Sequence, residues 1–322
     1  MIDINLDQKV VDLKREYDKD FKPTKEYLES LPDLQNSEFD SIPIEFVGIS
    51  NEQLPLKIKQ KDGGVQEVLA TIHGNVSLDA FHKGINMSRL SRELLPFVDS
   101  VFDINKLGEV LKQYQKSLNS FDAHLIISFD YRLKQDTMRS VDNNGNPLWG
   151  YKFYHVVFDP NMDKDGTFKK VMYVDYRYQS CCPCSTALSL HAAQTRGRYA
   201  APHSQRSVAR IGIEFEDMVW IEDVIDMCRT AIPSETHTII KREDEQAQAE
   251  SCALDGNIFV EDAVRRLAKI FNKDNRIIDY RIVVCHMESI HDFNANAVIL
   301  KGVPNSIFNH HISNFEYESL RV

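Results

Sequence analysis

No run of about 18 apolar residues occurs in the chain, so no membrane-spanning helix is expected. The first residues, Met1-Ile2-Asp3-Ile4-Asn5-Leu6-Asp7, are acidic and polar and lack the basic and apolar regions of a secretory signal, which predicts a cytoplasmic protein. Positive charge is also in deficit: 38 Lys and Arg against 48 Asp and Glu give a net charge of -10. Affinity for a polyanion rests on many phosphate contacts, so this balance disfavours a general nucleic-acid binder, while a small anionic substrate needs only a few local cations. Neither G-x-G-x-x-G nor G-x-x-x-x-G-K is present, which removes the dinucleotide fingerprint and the phosphate-binding loop.

What is present is a globular composition, 322 residues with 43% hydrophobic and 27% charged, enough for one large domain or two ordinary ones. Residues 1–40 are charged, with Pro23 and Pro32, and read as an arm with a short helix near residues 9–19. Extended patterns follow at 44–49, 54–60 and 65–78, with Asp62-Gly63-Gly64 as a hairpin turn. Helical spacing appears at 87–95 and again in Ile104, Leu107, Val110, Leu111 and Tyr114. Residues 123–131 and 149–158 form another hairpin pattern, so the region 41–160 reads ββααββ.

The region 161–322 repeats that order. Strands are predicted at 168–178 and 208–215, helices at 221–232 and 259–271 with a further one beginning near Lys241, and strands at 277–287 and 295–300. A ββααββ unit used twice predicts an α+β fold with antiparallel sheets and helices on one face of each.

The six cysteines are unevenly placed, three of them in Ser180-Cys181-Cys182-Pro183-Cys184-Ser185. After a predicted loop over 186–201 comes Pro202-His203-Ser204-Gln205-Arg206-Ser207. In a reducing compartment such cysteines are thiols, ligands or nucleophiles rather than disulfides. A redox pair on the C-x-x-C spacing needs a strand-to-helix turn in a βαβ unit, whereas this chain reads as hairpins. Asn161-Met162-Asp163-Lys164-Asp165-Gly166 resembles the start of a calcium loop, but Met172 stands where the bidentate glutamate belongs, so a turn is expected. Cys182 and His203 lack the second pair of a zinc finger; with a carboxylate from Lys241-Arg242-Glu243-Asp244-Glu245 they could instead form an open three-ligand site that activates water. Taken alone, that segment is as well read as a charged helix start, and His203 as a packing residue. His286 and Glu288 share one face of a strand, a pairing suited to acid/base work or simply a polar strand end.

These stretches, together with Phe259-Val260-Glu261-Asp262-Ala263-Val264-Arg265, Glu288-Ser289-Ile290-His291 and Lys83-Gly84-Ile85-Asn86-Met87-Ser88-Arg89-Leu90, resemble type IB GTP cyclohydrolase I over about residues 45–302. The resemblance implies the tunnelling fold, two ββααββ units per chain, and a homotetramer with active sites between subunits. It implies conversion of GTP to 7,8-dihydroneopterin triphosphate and formate in folate and pterin synthesis, with one divalent metal, zinc or manganese or iron. By the same resemblance Cys182, His203 and Glu245 are the metal ligands, and a metal hydroxide attacks guanine C8. Glu288 anchors the guanine edge, His291 transfers protons, and Glu261 and Cys184 are further catalytic candidates. Arg89, Arg206, Lys241 and Arg242 are triphosphate partners, suited by charge to phosphate oxygens. Two departures stand out: His191, in the long 186–201 stretch, competes with His203 as ligand, and Asn86 stands where many members carry histidine. The nearest rivals are an NADPH-dependent nitrile reductase of the same fold and a non-catalytic purine- or metal-binding protein.

Overall fold

The computed structural model describes residues 17–32, 37–304, 306 and 308. The helix expected near 9–19 lies largely outside them; the described part of the arm holds only the five-residue α1 (Lys25–Glu29), capped by Thr24. Strands β1 (Ile44–Lys59) and β2 (Val65–Leu78) form the first hairpin, turning at Gly63, whose φ of +88° explains the glycine. The two extended stretches expected at 44–49 and 54–60 are one strand, kinked by a register shift around Asn51 at φ +61°. Alternation along β2 sends Val68, Ala70, Ile72 and Val76 inward.

Helix α2 (Ser88–Val98) contributes Leu90 and Leu94 to the core, followed by the two-residue β3 (Val101–Phe102). Helix α3 (Ile104–Leu118) contributes Leu107, Val110, Leu111 and Tyr114. Asp103 caps α3 by accepting from the Asn105 and Lys106 amides, and Asn119 ends it in the left-handed conformation. Strands β4 (Ala123–Val141) and β5 (Pro147–Phe158) complete the first ββααββ unit.

A short β6 (Asn161–Met162) leads into β7 (Phe168–Cys181) through a tight turn, in which Asp163 accepts from the Asp165 and Thr167 amides. The calcium-like stretch is therefore a turn, as expected. Helix α4 (Pro183–Arg196), β8 (Ser204–Phe215), α5 (Ile221–Ala231), α6 (Arg242–Leu254), α7 (Val260–Phe271), β9 (Ile277–His286) and β10 (Ala295–Leu300) follow. With α4 and α6 set aside as insertions, the second unit repeats the first.

Helix α4 corrects the expected loop over 186–201. Only Ala192 is buried along it, so it carries no apolar stripe for a periodicity argument to find. Its ends were legible nonetheless: Pro183 stands in the first turn, and Gly197 closes the helix at φ +60°.

The expected two sheets are one. Its strand order is β10-β9-β8-β7-β5-β4-β2-β1-β3, antiparallel throughout except where β3 runs parallel to β1. The units meet at β5 and β7 through only three register pairs, Val156 with Val174, Val157 with Tyr173 and Phe158 with Met172. Beyond them the strands part, and residues 234–238 fill the gap: the Gln179 amide donates to the Ser234 carbonyl at 2.8 Å and the Thr236 amide to the Arg177 carbonyl at 3.2 Å. One continuous apolar core runs under both units, from Leu56 on β1 to Val284 on β9.

Candidate metal and substrate site

Three neighbouring strand ends build the site. β7 finishes at Cys181, Cys182 caps α4, and β8 opens at Ser204, so Cys182 and His203 stand side by side at the mouth of this strand pair. The Cys182 amide donates to the His203 carbonyl at 3.3 Å. β9 ends beside them, with His286 opposite Ser207. The chain then turns, the Glu288 amide donating to the His286 carbonyl at 3.0 Å, and the Glu288 carboxylate comes to 3.8 Å from His203 Nδ1. Both side chains are mostly buried, His203 12% and Glu288 14% exposed.

Gln205 joins the two. Its Oε1 lies 3.1 Å from His203 Nδ1, and its Nε2 donates to Glu288 Oε1 at 3.4 Å and to Ser180 Oγ at 3.2 Å. In the tautomer that donates Nδ1–H to this amide oxygen, Nε2 is the nitrogen left with a lone pair. Ligating histidines are held in this way, with one nitrogen engaged by a protein acceptor and the other presented to a metal. A thiol and an imidazole are donor types that suit a borderline divalent cation.

Below the mouth the polar row continues into the core. Ser180 and Ser207 hydroxyls pair at 2.7 Å, and the Tyr178 hydroxyl lies 2.7 Å from His286 Nε2. Burial drives the His286 pKa down to about 4 and the Tyr178 pKa well up, so a neutral imidazole accepts from a neutral phenol. His286 is thus a core residue rather than a partner for Glu288 in acid/base work.

The third expected ligand is not with the other two. Glu245 is exposed in the first turn of α6, and among the described residues no three His, Cys, Asp or Glu side chains gather closely enough to hold a metal. The cause is the neighbouring Asp244. Its Oδ1 accepts the Arg139 and Ser140 amides at 2.8 and 3.0 Å, and its Oδ2 accepts the Lys241 amide at 3.0 Å and the Ser140 hydroxyl. Successive helical residues point about 100° apart, so turning Asp244 inward leaves Glu245 outward.

The remaining candidates are scattered. Cys184 and His191 are exposed on α4, and Cys181 is buried, its thiol donating to the Cys252 carbonyl at 3.4 Å. A strand-to-helix turn does occur at Cys181-Cys182, yet β7 and β8 are antiparallel neighbours, unlike a βαβ redox site. Glu261 lies in the first turn of α7. His291 is exposed in the turn after β9 and stacks on Phe293 at 4.7 Å. Lys241 and Arg242 are exposed at the start of α6, with Lys241 Nζ 3.1 Å from Glu243. Arg89 sits in the first unit, donating to the Ser117 carbonyl at 2.9 Å, and thereby ties α2 to α3.

Beside the strand mouth, where β5 and β7 part, lies a cleft of about 660 Å³ lined by Tyr151, Phe153, Arg177, Arg206, His237 and Gln248 among others. Of these, sequence reasoning had singled out only Arg206. Arg177 lies on the strand predicted at 168–178, but nothing in the sequence says that the neighbouring strand parts from it there.

The chain matches the family described as type I GTP cyclohydrolase folE2 over residues 31–297. It is 43% identical over 298 residues to the GTP cyclohydrolase FolE2 of Roseobacter denitrificans, covering 90% of this chain and 79% of that protein. It is 40% identical over 296 residues to the FolE2 of Paracoccus denitrificans, covering 90% of each. Its fold resembles the crystal structure of a hyper-thermostable AgUricase mutant, with a TM-score of 0.52 at 7% identity over 83% of this chain and 94% of that one. The doubled ββααββ order expected of the tunnelling fold, the juxtaposed Cys182 and His203, and a match that takes in nearly the whole described chain lead to one conclusion: the chain belongs to the type I GTP cyclohydrolase FolE2 family.

Proposed function

We propose that this chain is a type IB GTP cyclohydrolase, converting GTP to 7,8-dihydroneopterin triphosphate and formate at the start of folate and pterin synthesis in the cytoplasm. The observation that carries this reading is the convergence of Cys182, His203 and Glu288 at three adjacent strand ends in a chain of this family. One divalent metal, zinc or manganese or iron, would be held by Cys182 and His203 with Glu245 as third donor; when bound it supplies a Lewis acid that activates water near neutral pH. The exposure of Glu245 suits a homotetramer whose sites form between subunits.

The chain's own residues do the rest. Two carboxylate oxygens of Glu288 match two adjacent N–H donors on the guanine edge, and the 3.8 Å approach to His203 puts the ring beside the metal-binding imidazole. Gln205 fixes both groups at once, so substrate anchor and ligand keep one relative position. His291, exposed beyond the strand end, would exchange protons with the opened ring and with solvent.

Incubation with GTP and a divalent metal should release formate and yield a pterin that fluoresces after oxidation, and a chelator should stop it. Absence of both products with zinc, manganese and iron would overturn the reading. Cys182→Ala and His203→Ala should each lower activity by at least about a hundredfold, together with bound metal.

A further inference from the structure

We propose that Arg177 and Arg206 form the seat for the substrate's polyphosphate, with Gln248 closing one side; this rests on the GTP reading above. β7 and β8 are in a register that sets Gln179 opposite Arg206 and Arg177 opposite Val208. Arg177 and Gln179, two residues apart, share a face, so the two arginines are diagonal neighbours on it, about 7–8 Å apart at the backbone. Neither guanidinium makes a hydrogen bond or an ion pair among the described residues, and Arg177 Nε is buried without a partner.

The surroundings make this mismatch informative. On the same face of β7, two residues before Arg177, Asp175 takes its register partner Arg210 in a bidentate pair, both bonds 2.7 Å. The third cation lining the cleft, Lys152, is matched by Glu235 at 3.0 Å. Arg210 and Lys152 are thus matched by carboxylates, whereas Arg177 and Arg206, two like charges that repel each other, have none within ion-pair distance among the described residues. A multiply charged anion bridging them removes the repulsion and satisfies the planar forks, and phosphate oxygens fit that fork in pairs.

Gln248 points to the same ligand independently. It lines the cleft from α6, is 8% exposed, and both its amide nitrogen and its amide oxygen lack partners among the described residues. The nitrogen can donate to a phosphate oxygen while the oxygen accepts from a sugar hydroxyl, a combination a nucleotide offers and a bare phosphate does not.

The test is calorimetric titration of the metal-loaded protein with magnesium-saturated inorganic tripolyphosphate and with guanosine, alongside GTP kinetics. Arg177→Gln should weaken tripolyphosphate binding about ten- to a hundredfold and raise the KM for GTP similarly, with guanosine binding and kcat nearly unchanged. Gln248→Leu should weaken GTP binding more than tripolyphosphate binding. Tripolyphosphate binding by Arg177→Gln equal to wild type would overturn the seat while leaving the GTP reading intact. Arg177-dependent binding in a protein that turns over no GTP would keep the anion seat and sink the GTP reading. Should Arg177→Gln not fold, Arg177→Lys keeps the charge and loses the fork; binding by it as tight as wild type would equally overturn the proposal.

Discussion

Gln205 is the side chain that ties the expected ligand His203 to the expected substrate anchor Glu288. Gln205→Leu keeps the volume roughly and removes the acceptor that holds His203 Nδ1–H. Metal affinity, measured by competition with a chromophoric chelator, should fall about 10- to 100-fold, while the thermal midpoint moves little by comparison. This role was half-visible in the sequence: Pro-His-Ser-Gln-Arg-Ser showed that a glutamine stood two residues from the histidine. Glu288 reaches both only because β9 ends beside β8, a pairing that no local pattern states. His286 shows the opposite case, since its spacing from Glu288 suggested shared chemistry and the core claimed it. Its folded pKa of about 4 lies below the ordinary 6.5, so the unfolded chain binds the proton first as pH falls. Stability from this group is full above pH 6.5 and is lost between there and about 4, on the order of 3 kcal/mol. Urea midpoints of the wild type should therefore fall more steeply over that window than those of His286→Gln; equal slopes would contradict a neutral buried imidazole.

At the scale of elements, amphipathic helices were legible and exposed ones were not. α3, α5 and α7 bury a stripe and were placed within a few residues, because apolar side chains at three and four spacing must face the sheet. α4 buries almost nothing, so its only signals were Pro183 and Gly197. α6 was expected from near Lys241, but which of its acids turns inward depended on β4. Asp244 lies against the end of that strand and holds two of its amides besides the Lys241 amide at its own helix start. Asp244→Ala leaves those donors, the buried Ser140 amide among them, unmatched and should destabilise the fold by about 1–3 kcal/mol in chemical denaturation. Because Lys241, Arg242 and Glu245 ride on that turn, the variant should also bind metal and GTP less tightly. Gly197→Ala should cost only about 1 kcal/mol, since the left-handed helix end can fray in solvent.

At the scale of the whole molecule, the question is what makes two ββααββ units one body when β5 and β7 share only three register pairs and the two-residue β6 adds two more to β4. Two features answer it. The apolar core is shared, running beneath β1 through β9 without a break, so neither unit can unfold without exposing the other's buried face. Beside the three pairs, residues 234–238 are clamped between the parted strands by a buried charge cluster. Lys152 Nζ lies 3.0 Å from Glu235 and donates to the Thr236 carbonyl at 2.6 Å, while Arg229 Nε and the Tyr154 hydroxyl donate to Glu235 at 2.9 and 2.5 Å. Burial lowers the Lys152 pKa to about 8, and although burial also acts on Glu235, Lys152 and Arg229 outweigh it and hold that carboxyl down. Removing one member of such a cluster strands its partners, whereas an apolar replacement of the whole set can be neutral. Lys152→Met should therefore cost about 3–5 kcal/mol, yet the calorimetric trace should keep a single transition in which both units melt together. Two resolved transitions in the wild type would show that the shared core does not couple the units; two in Lys152→Met alone would show that the clamp, rather than the core, is what couples them.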